Sequence, residues 1–168
     1  MTANASTGSR EAAAAAVAFL LRSTKARPQT AAELRAKLDD RGYDSSVVDA
    51  AIARATELGA VDDAAFARAW VADRGLARGY SASRLRGELR RRQVPDPVID
   101  EALTPVEERD DLAVATDLAR QRAQRMPATL KPDVVARRLL GFLARRGYTE
   151  ALARRVAIDV SGLDRHWD

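Results

Sequence analysis

The chain contains no cysteine and a single histidine, His166. Disulfides and thiolate zinc sites are therefore excluded, and one imidazole close to the C-terminus offers neither a metal cluster nor a base for a serine nucleophile. Aromatic residues make up only 5% of the sequence, which argues against gripping single strands by base stacking. No apolar run reaches the roughly 18–20 residues that a membrane span requires. Residues 12–21 are apolar enough to suggest the core of a signal peptide, yet Glu11 precedes them, Arg22 follows, and they fit an amphipathic first helix. A cytoplasmic protein without a membrane partner is expected. No glycine-rich loop leads into a lysine and a hydroxyl, so there is no P-loop. The acidic pairs Asp39-Asp40, Asp62-Asp63, Glu107-Glu108 and Asp110-Asp111 are neighbours in sequence. On a helix, neighbours diverge by about 100°, a poor arrangement for sharing a metal or a proton. No catalytic residue, metal or cofactor is expected; the chain reads as a non-enzyme.

What the sequence has in abundance is alanine, arginine and leucine over 168 residues, with a net charge of +4 and a pI near 9.9. These residue types lose least on entering a helix, and nothing alternates with period two over a strand's length. A pattern also recurs. Leu34, Leu38, Gly42, Tyr43, Val47, Val48 and Ile52 return 51 positions later as Leu85, Leu89, Gln93, Val94, Val98, Ile99 and Leu103. A third copy reads Leu139, Leu143, Gly147, Tyr148, Leu152, Ala153 and Ala157. Such a period indicates stacked supersecondary units, each too small to bury a core alone. The expected fold is all-α: three tandem three-helix modules forming an elongated arc. Their limits are residues 9–60, 61–104 and 105–162, between a disordered N-terminus at 1–8 and a tail at 163–168.

Local signals place the helices. In the first module they run from Ser9 to Ser23, from a capping box at Thr30 and Glu33 to Gly42, and from Asp44 or Ser45 to Gly59. The second module predicts helices at 63–75, 81–92 and 96–103, with Ser81 as a cap and Pro95 and Pro97 ending one helix and opening the next. In the third, one long helix is expected from Glu107 to Arg125, then 132–146 and 149–160. Trp70 aligns with Phe19 and is expected in the core, and Arg92 is expected to reach the last carbonyls of its helix.

The arginines are unevenly placed. Residues 74–92 hold seven arginines, Arg92 at the core edge among them, against one acid, Glu88. Aligned on the leucines, Arg84 replaces Glu33, while Arg90 and Arg91 replace Asp39 and Asp40; Arg138 and Arg145 occupy the third copy's equivalents of Arg84 and Arg91. Codon bias toward arginine acts on every copy alike and does not produce this gradient. A solvated basic face is the plain alternative, but clustered like charge repels itself, which favours an acidic or polyanionic partner. The candidate partner-binding residues are Arg74, Arg78, Arg84, Arg86, Arg90, Arg91, Arg138 and Arg145.

One stretch carries a family resemblance. Val61-Asp62-Asp63-Ala64-Ala65-Phe66-Ala67-Arg68-Ala69-Trp70, with Arg74 four residues on and then Arg84-Leu85-Arg86-Gly87-Glu88-Leu89, resembles the signature of the RecX family. Where that family usually has glycine after the second helix, this chain has Gln93. The resemblance implies a small bacterial regulator that binds RecA and the RecA–single-stranded DNA filament. It implies inhibition of strand exchange, ATP hydrolysis and co-protease activity, and hence modulation of DNA repair and the SOS response. A monomer is expected, long enough as three bundles in a row to lie in the groove of a helical filament. The alternative is a direct DNA-binding protein using its basic helices much as helix-turn-helix proteins do, with at least a weak DNA contact.

Overall fold

Helix start and stop signals account for most of the element boundaries in the computed structural model, which describes residues 2–163. His166, Trp167 and the rest of the expected tail beyond Leu163 lie outside the described residues. The elements are α1 (Thr2–Ala26), α2 (Ala31–Asp39), α3 (Ser45–Glu57), α4 (Asp63–Val71), a π-helical stretch Ala72–Ala77, α5 (Ala82–Arg91), α6 (Asp96–Glu107), α7 (Asp111–Gln124), α8 (Pro132–Ala144) and α9 (Glu150–Ser161). There is no strand among the described residues, and the fold is all-α as expected.

The repeat is visible in the hydrogen bonds that end the middle helix of each copy. The amides of Tyr43, Val94 and Tyr148 donate back to the carbonyls of Leu38, Leu89 and Leu143 at 3.3, 3.2 and 3.4 Å. One residue earlier the chain turns left-handed in each copy, at Gly42, Gln93 and Gly147. Gln93 therefore keeps the helix exit that glycine gives elsewhere, at φ 56°. A side chain in that region is strained, so Gln93→Gly is expected to stabilise the fold by up to about 1 kcal/mol. Chemical denaturation measures it; a lower midpoint for the variant would mean that the glutamine makes a contact worth more than its strain.

The larger differences from the expected boundaries have identifiable reasons. Helix α1 is assigned from Thr2 rather than Ser9, since no proline or glycine before Gly8 interrupts a run containing Ala3 and Ala5. Helix α4 gives way to the π-helical stretch at Ala72 instead of running to residue 75. The expected long helix from Glu107 is broken: α6 continues through Pro105 to Glu107, and α7 starts afresh where the Asp110 carboxylate accepts from the amides of Leu112 and Ala113 at 2.9 and 3.1 Å. Val106 is 1% exposed, and burying it keeps the end of α6 helical.

The chain packs into two compact units, residues 1–69 with 89–102, and 70–88 with 103–168. In the first unit Ala16 and Leu20 of α1 meet Leu34 and Leu38 of α2 and Val48, Ala51, Ile52 and Ala55 of α3. The alanines let α1 and α3 approach closely, and each fully buried leucine contributes about 1.5–3 kcal/mol. Thr30 completes its capping box with Glu33, and its hydroxyl donates onward to the Arg92 carbonyl at 2.9 Å. The Arg92 guanidinium pairs with Glu33 and lies 5.6 Å from the centre of the Phe66 ring.

In the second unit Ala115 and Ala119 of α7, Leu139 and Leu143 of α8, and Ala153, Val156 and Ala157 of α9 form a core with Tyr148. Gly75, in the same unit, has no room for a side chain. A Cβ there would stand 2.7 Å from Val106 and 2.9 Å from Leu85.

Candidate partner-binding face

The second unit holds a set of polar ties that fix its surface side chains. Arg109 is nearly buried, its side chain 12% exposed. It donates to the carbonyls of Gly75 and Tyr80 at 2.6 and 2.7 Å, to the Tyr148 hydroxyl at 3.3 Å and to the Asp111 carboxylate at 2.9 Å. The Tyr148 hydroxyl in turn donates to the Gly79 carbonyl at 2.9 Å. Burial, opposed by the Arg109 charge, raises the Tyr148 pKa above its usual 10, so the phenol stays a donor through the physiological range. At the start of α5 the Ser81 amide donates to the Arg146 carbonyl at 2.9 Å, and its hydroxyl donates to the Gly147 carbonyl at 2.7 Å. The same hydroxyl accepts from the Arg84 amide at 3.3 Å, as an N-cap should.

On this frame the arginines do not stand free in solvent; they alternate with aromatic rings. The Arg74 guanidinium lies 3.5 Å from the centre of Trp70. Both Arg74 and Arg84 meet Glu88, at 3.5 and 2.9 Å, and the Trp70 indole N–H donates to the same carboxylate at 3.0 Å. Arg84 covers Tyr80 at 4.3 Å, and Arg146 lies 5.9 Å from that ring and 3.8 Å from Phe142. Arg122 reaches Phe142 from its other neighbours at 5.9 Å. Four guanidiniums and three rings thus form a continuous ladder with one carboxylate in it. Each stacked pair contributes about 0.5–2 kcal/mol and holds its guanidinium by the face, leaving N–H edges to donate outward. Partial burial lowers the Arg146 pKa below the usual arginine range, with the nearby tyrosines acting in the opposite sense; an arginine so placed remains charged.

The expected site residues are distributed unequally. Arg74 and Arg84 are brought together, through Glu88. Arg78 and Arg86 belong to the same unit but are paired with Asp73 at 3.1 Å and Glu107 at 3.0 Å. Arg90 and Arg91 fall in the first unit, where Arg90 pairs with Asp96 at 2.8 Å and Arg91 is exposed, with no ion pair among the described residues. Arg138 is exposed on α8, and Arg145 is exposed at its C-cap. Seven residues apart, they share the helix face that carries Phe142 between them. Arg146, Arg122, Tyr80 and Phe142 were not singled out by sequence. A signal for three of the pairs exists: Trp70–Arg74, Tyr80–Arg84 and Phe142–Arg146 each place an arginine four residues after a ring.

Trp70 is half-buried rather than a core residue. Trp70→Phe keeps a ring under Arg74 but removes the donor to Glu88, and is expected to cost about 1 kcal/mol with the unit still folded. Trp70→Ala removes both and should cost more, about 2–3 kcal/mol, short of a fully buried tryptophan's truncation. Equal losses for the two variants in thermal unfolding would show that the indole N–H alone matters.

No group of three or more histidine or acidic residues suited to a metal occurs among the described residues, and no helix there is long and apolar enough to cross a membrane. Two family models match the chain: the first three-helix domain of RecX over residues 21–54 and the second over 62–103. The regulatory protein RecX of Mycobacterium sp. (strain JLS) is 40% identical over 149 residues, covering 86% of this chain and 81% of the relative. That of Thermobifida fusca (strain YX) is 40% identical over 145 residues, covering 85% and 77%. In fold, the chain is similar to the crystal structure of RecX from Lactobacillus salivarius, with a TM-score of 0.68 at 12% identity over 92% of this chain and 99% of that one. A second RecX crystal structure gives 0.66 at 18% identity, covering 90% of this chain and 74% of that one.

Proposed function

This chain belongs to the RecX family, and from that premise we propose that it is a non-enzymatic regulator that binds RecA and its nucleoprotein filament. It restrains strand exchange, ATP hydrolysis and co-protease activity, and so modulates DNA repair and the SOS response. It works in the cytoplasm as a monomer that needs no cofactor. Family membership carries this reading; the arginine–aromatic ladder of the second unit supports it, because it offers held, outward-facing donors of one sign. Surfaces of that kind steer encounters with acidic or polyanionic partners.

The test is direct. Purified chain added to RecA on single-stranded DNA is expected to slow ATP turnover and strand exchange in a dose-dependent way, while hydrolysing no ATP by itself. The family reading of activity fails if RecA turnover is unchanged and the chain does not co-sediment with the filament.

A further inference from the structure

We propose that Leu76 is an apolar anchor, held out from the π-helical stretch to seat in a leucine-sized hollow on a folded protein partner. Under the regulatory reading, on which this assignment rests, that partner is a RecA subunit. Leu76 is 55% exposed, more than any other large apolar side chain among the described residues. Ala72 and Ala77 beside it are exposed as well. In a π-helix, residues four and five apart are neighbours, so Ala72, Leu76 and Ala77 make one apolar patch. The Asp73–Arg78 ion pair, five residues apart and 3.1 Å long, borders it.

A lone exposed leucine is ordinary on a protein surface. What sets this one apart is the backbone beneath it. The carbonyl of Arg74 accepts from the Tyr80 amide at 2.9 Å, and those of Gly75 and Tyr80 accept from Arg109 at 2.6 and 2.7 Å. The carbonyls of Arg78 and Gly79 accept from Arg146 and Tyr148 at 3.3 and 2.9 Å. Gly75 and Gly79 bring the chain close against its neighbours: a Cβ would stand 2.7 Å from Val106 at the first and 2.5 Å from Leu118 at the second. The segment is pinned on both sides of Leu76, which cannot turn inward without breaking these ties. Widened helical turns of this kind are frequent at functional positions. An anchor fixed in advance loses little freedom on binding, so a small patch can contribute strongly.

The surroundings select the class of partner. Phosphates gain nothing from a leucine and are repelled by Asp73, so the patch does not suit nucleic acid. One leucine between a carboxylate and a guanidinium is too small and too polar to hold a bilayer surface. A protein surface with an apolar hollow and charges of both signs at its rim complements it.

The experiment measures binding of the labelled full chain to RecA, free and assembled on oligothymidylate, and to oligothymidylate alone. Leu76→Ala is expected to weaken binding to both forms of RecA about tenfold or more, and Leu76→Asp about a hundredfold. Leu76→Met keeps the apolar volume and should change it by less than about threefold. Because the side chain is exposed, all three variants should melt within about 2 °C of the parent. Leu76→Ala should leave any affinity for oligothymidylate alone unchanged. Equal binding of Leu76→Ala and the parent to RecA would overturn the anchor and leave the regulatory reading intact. An equal loss toward oligothymidylate alone would also overturn it, since the patch would then serve nucleic acid. A parent chain that binds neither form of RecA would sink the regulatory reading and the anchor with it.

Discussion

Replacing Arg109 by alanine is expected to destabilise the second unit by about 3–5 kcal/mol, the cost of leaving strongly paired buried groups without a partner. The guanidinium donates to two backbone carbonyls, a phenol and a carboxylate. Arg109 satisfies the Gly75 and Tyr80 carbonyls, and alanine would take both donors away. Lysine does not substitute, because a single ammonium cannot span acceptors placed for the fork geometry of arginine. Circular dichroism should show the melting temperature falling by roughly 10 °C or more for Arg109→Ala, and amide exchange should quicken across residues 72–81. A variant that melts with the parent would mean that water replaces the guanidinium at little cost.

Gly147→Ala is the second change with a large expected effect. The residue sits at φ +86°, and a Cβ would fall 2.5 Å from both the Arg84 Cβ and the Ser81 hydroxyl oxygen. Backbone strain contributes about 1 kcal/mol and the forced separation about 1–3 kcal/mol more. The neighbour that must yield is the root of Arg84 rather than the tip of a flexible side chain, so the ladder would be displaced along with it. Gly42→Ala is the natural control. Gly42 has φ +76° but open space around its missing Cβ, so only the strain should appear there. If the two variants lose equal stability, the close approach of Gly147 to α5 carries no weight, and Arg84 is positioned by its own helix.

Much of the fold was legible because its signals are local. Thr30 and Glu33, Thr149, and the left-handed exits at Gly42 and Gly147 specify helix ends within four residues of sequence, and each behaves as its spacing predicts. The misplacements arise where distant packing overrides such signals. Glu107 reads as a helix start, yet burial of Val106 holds it in the preceding helix and leaves Asp110 to cap the next. The π-helical stretch at Ala72–Ala77 depends on Gly75 fitting between Val71, Leu85 and Val106, which no nearest-neighbour rule encodes. The face shows the same division. That Arg74 and Arg84 share a surface follows from helical spacing and the composition of the second repeat. That Arg146 joins them at Tyr80, 66 positions away, requires the tertiary structure.

Ser81, Arg109 and Tyr148 carry a consequence for how such a repeat can evolve. The carbonyls of Gly75, Gly79 and Tyr80 lie in the second sequence copy, and the donors that satisfy them lie in the third. Ser81 returns the exchange, donating to the third copy's Arg146 and Gly147 carbonyls. Duplication can create copies end to end, but once polar groups are shared across the join, neither copy can be lost, shuffled or replaced by a foreign one without stranding the other's backbone. The leucines repeat as though each copy stood alone, whereas the bonds at residues 75–81 make the second and third copies depend on one another's backbone.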